Sequence, residues 1–463
     1  MINETICAPA TAPGGALGVI RVSGPQAFSA VSRLCSVSCD TVAANTIHFT
    51  RIVAPSTSAD NAAATEVIDE VLVSVFRAPH SYTGEDSVEI SCHSSPYIIN
   101  KVLELLIANG CRMARPGEFT MRAYLNGKMD LSQAEAVADL ISSSNRATHQ
   151  MAMSQLRGHF SSELSQLREQ LLKLTTLLEL ELDFSDHEDL EFADRTELLV
   201  LAQKIEERVA RLANTFETGQ AIKQGIPVAI VGKTNVGKST LLNRLVHDER
   251  AIVSDIHGTT RDTIEDTIDI CGITFRFIDT AGIRQTSDQV EQMGINRTYQ
   301  TISKARIVLW LIDENPTQEE IGEIEKLCRG KSLIVIQNKI DKYQYSGPDP
   351  SHFPTHTSFV RISAKQGLGL DTLEATIYDA ADIPSFTEAD VIVSNVRHYQ
   401  VLLEAQAHLA RIIDGLQQNL SCDLLAEELR AVTDDCLSQI TGQTRITPSE
   451  VLETIFKDHC VGK

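Results

Sequence analysis

Thirteen residues near the middle of the chain, Pro227 to Ser239, read P-V-A-I-V-G-K-T-N-V-G-K-S, and their spacing suits the holding of a polyphosphate. The apolar run Val228–Val231 predicts a buried parallel strand that stops at Gly232, where the chain has to turn. Gly232 and Gly237 open backbone angles closed to other residues, so successive N–H groups can face phosphate oxygens. Lys238 can then reach β- and γ-phosphates, Ser239 offers a hydroxyl to Mg²⁺, and a helix from Thr240 presents its positive end to the anion.

Four further motifs follow in order. Asp279-Thr280-Ala281-Gly282 ends an apolar strand and suits a Mg²⁺-associated carboxylate followed by a γ-phosphate-sensing glycine. Asn338-Lys339-Ile340-Asp341 ends another strand, and its aspartate can accept from N1–H and the exocyclic amine of guanine, which adenine cannot match. Ser363-Ala364-Lys365 follows the last strand, where backbone amides can meet the guanine carbonyl. Gly258-Thr259-Thr260-Arg261-Asp262 lies in a polar stretch suited to ordering around γ-phosphate and Mg²⁺. Together they predict a GTP site. The residue after Gly282 is Ile283, so the glutamine that orients water in Ras-type enzymes is missing. Arg284, Gln285, Asp288 and Glu291 are the polar candidates for that task, and the Asn235 side chain could hold a monovalent cation beside the phosphates.

These motifs need strands and helices in alternation. Val228–Val231, Phe275–Asp279, Ile307–Asp313, Ser332–Asn338 and Phe359–Ser363 supply the strands of a doubly wound sheet over 223–382. Before it, 1–118 mixes strand and helix as an α+β domain, with strands at Leu17–Val22, Glu70–Phe76 and Ser87–Ser91, a helix at Pro96–Ala108 and a surface loop at Thr57–Thr65. Helical sequence occupies 119–222 and 383–463, which predicts one helical domain interrupted by the sheet. Asp130 and Gln133 form a capping box, Leu164, Leu167, Leu171, Leu174 and Leu178 form a buried stripe, and Thr447 with Glu450 caps a last helix. Asp183–Glu191 reads as a solvated acidic turn, Tyr343–Pro354 as a loop.

The chain has 463 residues, too many for one ordinary core, and 43% of them are hydrophobic. Its 41 Lys and Arg against 62 Asp and Glu give a net charge of −21, which opposes non-specific binding to nucleic acid or anionic membranes. Any RNA contact must be a local basic patch, for which Arg112, Arg115, Arg122 and Lys128 are the candidates. Ten cysteines without a C-x-x-C pair, no secretory leader pattern and no bilayer-length apolar run predict a cytoplasmic protein.

With these motifs the chain resembles the MnmE (TrmE) family of tRNA-modification GTPases nearly end to end. The resemblance rests on Gly18-Val19-Ile20-Arg21-Val22-Ser23-Gly24, Tyr82-Thr83-Gly84-Glu85-Asp86, Ala114-Arg115-Pro116-Gly117-Glu118-Phe119-Thr120, Asn126-Gly127-Lys128, Gln133-Ala134-Glu135-Ala136 and Cys460-Val461-Gly462-Lys463. It implies a homodimer that works on tRNA with an FAD-dependent partner of the MnmG (GidA) family, as a heterotetramer, and adds a carboxymethylaminomethyl-type group to C5 of wobble uridine 34. It implies that the N-terminal domain binds a tetrahydrofolate derivative, 5-formyl or methylene, through Arg21, Glu89, Lys128 and Lys463, with Cys460 near the carbon carrier. An ordinary buried cysteine is the competing reading of Cys460.

For the nucleotide, the resemblance implies contacts from Asn235, Val236, Gly237, Lys238, Ser239 and Thr240, from Ser254, Asp255, Ile256, His257, Gly258 and Thr259, and from the three later motifs. Ser239 and Thr260 would hold Mg²⁺. Asn235, Ser254, Ile256 and Thr259 would hold K⁺, which does the work of an arginine finger when two GTPase domains meet, and Glu291 would orient the attacking water. Two departures stand out: Cys92-His93-Ser94-Ser95-Pro96 replaces the usual G-H-G-G-P, and Lys233-Thr234 replaces a pair such as Arg-Pro. The alternative reading is a regulatory or ribosome-assembly GTPase that uses the nucleotide as a binding switch. The N-terminal motifs favour the modification enzyme.

Overall fold

The computed structural model describes residues 4–55, 65–184, 195–249, 266–278, 300–342, 353, 357–384, 386–387 and 390–442. The chain divides into two compact units, Met1–Ala138 with Thr441–Gln443, and Asp139–Ile440 with Thr444–Lys463.

The first unit is built on a six-stranded sheet of order β3-β4-β5-β2-β1-β6, comprising β1 (Ile6–Pro9), β2 (Leu17–Ser23), β3 (Thr46–Pro55), β4 (Thr65–Phe76), β5 (Ser87–His93) and β6 (Arg112–Met113). The predicted strands at Leu17, Glu70 and Ser87 are all present. Helices α1 (Ala27–Ser32) and α2 (Pro96–Ala108) cover one face, where Phe28, Val31, Val102 and Leu106 pack on Ile20, Val22, Val73 and Ile90. Side chains alternate across a strand, so burying Ile20 and Val22 sends Arg21 to the opposite face. Two more helices follow, α3 (Glu118–Leu125) and α4 (Leu131–Ser142). The predicted box opens α4: Asp130 Oδ1 accepts from Gln133 N, and Gln133 Oε1 from Asp130 N, both at 2.9 Å.

The second unit holds a helical bundle and a second sheet. Its first helices are α5 (Arg146–Leu156), α6 (His159–Phe184), α7 (Arg195–Asn214) and α8 (Phe216–Gln224). After the sheet come α12 (Val396–Gln417), α13 (Cys422–Arg430), a π-helical stretch Ala431–Leu437 and α14 (Ser438–Thr441). Leu167, Leu171, Leu174 and Leu178 of α6 are fully buried, as is Leu164 within 4%, which stabilises the bundle by about 1.5–3 kcal/mol for each leucine. They share one core with Leu198 and Ile205 of α7 and with Leu402, Leu409 and Leu429 from beyond the sheet. Helices from both sides of the sheet in sequence therefore share a single hydrophobic core.

The sheet has the order β12-β11-β10-β7-β9-β8, with β7 (Ile226–Val231), β8 (Asp266–Ile270), β9 (Ile273–Phe277), β10 (Ile307–Ile312), β11 (Ser332–Gln337) and β12 (Ser358–Arg361). All neighbours are parallel except the edge pair β8 and β9. Helices α9 (Lys238–Glu249), α10 (Gln318–Leu327) and α11 (Leu370–Ala380) flank it. Both faces are covered: Val228, Ile230, Leu309 and Leu311 meet Leu241 and Leu373 on one side, and Ala229, Val308 and Trp310 meet Ile321 and Cys328 on the other. That accounts for strands that read as unbroken apolar runs. Among the described residues no helix is long and apolar enough to cross a membrane. The loops expected at Thr57–Thr65 and Tyr343–Pro354, the acidic turn and the Thr447–Glu450 cap lie largely or wholly outside the described residues.

Candidate functional site: a phosphate loop and a base-recognition loop

Strand β7 occupies the middle of its sheet and delivers the chain to the phosphate loop. Gly232 has φ +150°, and a Cβ there would lie 2.4 Å from Leu311 O, so glycine is required where the loop passes the end of β10. Gly237 has φ +104°, and its Cβ would fall 2.3 Å from Asn338 Nδ2. Asn235 takes φ +61°, a left-handed conformation that asparagine tolerates better than most residues, and its side chain is exposed. Lys238 opens α9, and its Nζ donates to Gly232 O and Lys233 O, each at 2.7 Å. Burial lowers the Lys238 pKa, as expected of a charge held where an anion is meant to compensate it. Ser239 is half-buried on the first turn and Thr240 is exposed.

The base-recognition loop is tied to the phosphate loop through Asn338. This side chain is 4% exposed; its Nδ2 donates to Val236 O at 2.8 Å and its Oδ1 accepts from Ala364 N at 3.0 Å. One amide thus spans the two loops that must grip opposite ends of a nucleotide. Asp341 is exposed, and its Oδ1 accepts from the Ser363 hydroxyl at 2.6 Å. That hydrogen bond also lowers the Asp341 pKa, which keeps the carboxylate an acceptor. Lys339, at φ +64°, places its Nζ 2.6 Å from Asp313 Oδ2, and Lys365 is exposed. Lys233, one of the departures from the family pattern, pairs with Glu320 at 2.6 Å and so links the phosphate loop to α10.

In the first unit the register of β2 and β5 sets Arg21 opposite Glu89, and Arg21 Nε donates to Glu89 Oε1 at 2.8 Å. The guanidinium carbon lies 4.9 Å from the Tyr82 ring centroid and 5.6 Å from that of Phe119. Lys128 Nζ donates to Pro79 O at 3.0 Å, and its Cγ would sit 3.3 Å from a Cβ on Gly84, which has φ +77°. Arg21 and Lys128 therefore both lean on the loop 77–86. Sequence reading missed the two rings around Arg21: each was part of a quoted motif, but nothing in their spacing brings Tyr82 to Phe119. It also offered Arg112, Arg115, Arg122 and Lys128 as an RNA-binding patch, and the structure takes Arg122 out of it. Arg122 is 1% exposed and paired with Glu85 and Glu118, and Arg112 is held by Glu4 and Glu118. Burial keeps the Arg122 guanidinium from phosphate, and two carboxylates offset the Arg112 charge; Arg115 remains exposed.

Ser254, Asp255, Ile256, His257, Gly258, Thr259, Thr260, Asp279, Thr280, Ala281, Gly282, Glu291, Cys460 and Lys463 lie outside the described residues.

A glycine-turned phosphate loop between a central parallel strand and a helix, cross-braced to an Asn-Lys-x-Asp loop, defines a P-loop GTPase. Comparison with known proteins narrows the class. Residues 5–128 match the family description "GTP-binding protein TrmE N-terminus", and residues 131–460 match "MnmE helical domain". The proteins named tRNA modification GTPase MnmE from Phocaeicola vulgatus and Bacteroides thetaiotaomicron are 51% and 52% identical to this chain, over 100% of both sequences in each case. The chain belongs to the MnmE family of tRNA modification GTPases. Among solved structures, the G domain of the T. maritima FeoB iron transporter is similar over 34% of this chain and 99% of its own length, at 23% identity and a TM-score of 0.26.

Proposed function

We propose that this chain couples GTP turnover to the addition of a carboxymethylaminomethyl-type group at C5 of the wobble uridine of certain tRNAs, in the cytoplasm, as a homodimer working with an FAD-dependent partner of the MnmG family. The observation that carries the reading is the meeting of Arg21 and Lys128 at one loop, with Glu89 paired to Arg21. This donor set fits a reduced folate: two cations for carboxylates, a carboxylate for the donor edge of a pterin, and aromatic rings beside them. A folate bound there would supply the one-carbon unit. The chain's own residues would bind and orient it, with Lys463 as the fourth contact and Cys460 nearby.

In the second unit the proposed roles of Lys238, Asn235 and Asp341 draw on the two described loops, and those of the remaining residues on the family resemblance. Lys238 and the N-terminus of α9 would receive the phosphates, Ser239 with Thr260 would hold Mg²⁺, and Asp341 would read guanine. Asn235, exposed at the loop's left-handed corner, suits a K⁺ site completed by Ser254, Ile256 and Thr259, and Glu291 would orient water. We read 223–382 as the GTPase domain inserted between helical segments 119–222 and 383–463, after an N-terminal domain of 1–118. Dimerisation is supported by Ile47, Phe49 and Leu72, which are 66%, 65% and 46% exposed. Phe49 and Leu72 are cross-strand partners on β3 and β4, an apolar patch of the kind that is covered in an assembly.

Calorimetric titration of the purified protein with 5-formyltetrahydrofolate tests the folate assignment. Saturable binding that Arg21→Ala and Lys128→Ala each weaken is expected. No binding by the parent protein would overturn it.

A further inference from the structure

Beside Arg21 lies a charge network that none of these roles uses. Arg122 of α3 is 1% exposed, yet its Nη1 donates to Glu85 Oε1 and Oε2 at 3.2 and 3.1 Å, and its Nη2 donates to Glu118 Oε1 at 3.1 Å. Among the described residues its Nε has no acceptor. Glu85 also accepts from Ser23 Oγ at 2.8 Å, at the end of β2. One buried guanidinium therefore joins α3, the loop 77–86 and the strand that carries Arg21. An apolar cluster of the same volume would hold the fold as well or better, because burying charges costs desolvation free energy. What the charged arrangement adds is a fixed geometry between α3 and the loop, since two carboxylates held by one planar fork tolerate little displacement.

The two elements so joined carry the rings on either side of Arg21. Phe119 is the residue after Glu118, and Tyr82, three residues before Glu85, hydrogen-bonds through its hydroxyl to Thr120 Oγ1 at 2.8 Å. We propose that Arg122 is a positioning residue for the folate site: by clamping Glu85 to Glu118 it sets the distance between Tyr82 and Phe119, and so the orientation of Arg21 toward a carboxylate-bearing heteroaromatic ligand. This inference rests on the folate reading.

The test uses the full-length protein and 5-formyltetrahydrofolate, with binding measured calorimetrically for Arg122→Lys, Tyr82→Leu and the double variant. Lysine keeps the charge but cannot span both carboxylates, while Glu118 stays paired with Arg112 at 2.7 Å. Arg122→Lys is expected to weaken binding by about tenfold or more with unchanged GTP hydrolysis. Because Arg122 acts through Tyr82, the double variant should be no more than about threefold worse than the weaker single variant. Thermal melting and circular dichroism of each variant control for folding, and Glu85→Gln takes the place of Arg122→Lys if the latter melts early. Binding within about twofold of the parent, or losses that multiply in the double variant, would overturn the proposal. A parent protein that binds no folate overturns the folate reading and this inference together, whereas a parent that binds while the variants bind equally well overturns this inference alone.

Discussion

Replacing Asn338 by alanine removes the amide that braces the phosphate loop to the base-recognition loop, and the loss can be sized from its contacts. Two hydrogen bonds disappear, from Nδ2 to Val236 O and from Ala364 N to Oδ1. Their backbone partners belong to residues each 2% exposed, so water does not readily take over. A buried backbone group left without a partner costs about 1–3 kcal/mol, so the pair costs on the order of 4 kcal/mol. Both orphaned groups sit on loops that must close on one ligand, and most of that cost should fall on binding. At 1.4 kcal/mol per decade, the dissociation constants for GDP and GTP should rise about 10²- to 10³-fold. Gly237→Ala attacks the same brace from the other side, because its Cβ would lie 2.3 Å from Nδ2 at a φ of +104°. Fluorescent-nucleotide titration of both variants measures the effect. Affinities within about threefold of the parent for both would refute the claim that this amide organises the site.

Asp341→Asn should reverse base preference: an amide donor facing the donor edge of guanine repels it but complements the carbonyl of xanthine. Competition between GTP and xanthosine triphosphate checks this, and retained guanine preference would remove Asp341 from base recognition. Asn235→Ala should abolish the stimulation of GTP hydrolysis by KCl over NaCl while leaving GDP affinity nearly unchanged; full stimulation in the variant would remove the basis for a K⁺ role. Glu118 gives a pH prediction. The Arg112 guanidinium, helped by Arg115 N–H and Arg122, holds its carboxyl down to about 2 from an ordinary 4.5, against the opposing effect of burial. A lowered folded-state value means the stabilisation is fully present above pH 4.5 and fades as pH falls towards 2. Glu118→Gln should therefore be less stable than the parent at neutral pH, with a difference that shrinks through that window in hydrogen-exchange measurements on α3 and the loop 77–86. A difference independent of pH would show that the pairing does not contribute as described.

The parts of this protein that the sequence makes legible are those governed by local rules. β7, β10 and β11 are buried on both faces and read as continuous apolar runs; α6 displays its leucine stripe, and Asp130 with Gln133 announces the start of α4. β3 and β8 escaped notice. Each mixes charged and β-branched residues because each lies at the edge of its sheet, β3 with an exposed face as well. Within the phosphate loop Gly232 and Gly237 both take positive φ, and with Lys238 and Ser239 at fixed spacing they make the motif its own evidence. The bracing is different. Asn338 reaches Val236 across 102 positions and Arg21 reaches Glu89 across 68, and such pairings depend on strand order, which no local spacing encodes. The same holds for Arg122, whose neighbours in sequence suggested a basic surface while its neighbours in space are two carboxylates.

The most direct test of the whole account is nucleoside mass spectrometry of tRNA from cells that carry or lack this gene. The account predicts that cells without it lose the C5-aminomethyl-type wobble uridine, and that the parent sequence restores it while Arg21→Ala does not. Unchanged wobble uridines in cells that lack the gene and hold no second copy would contradict it.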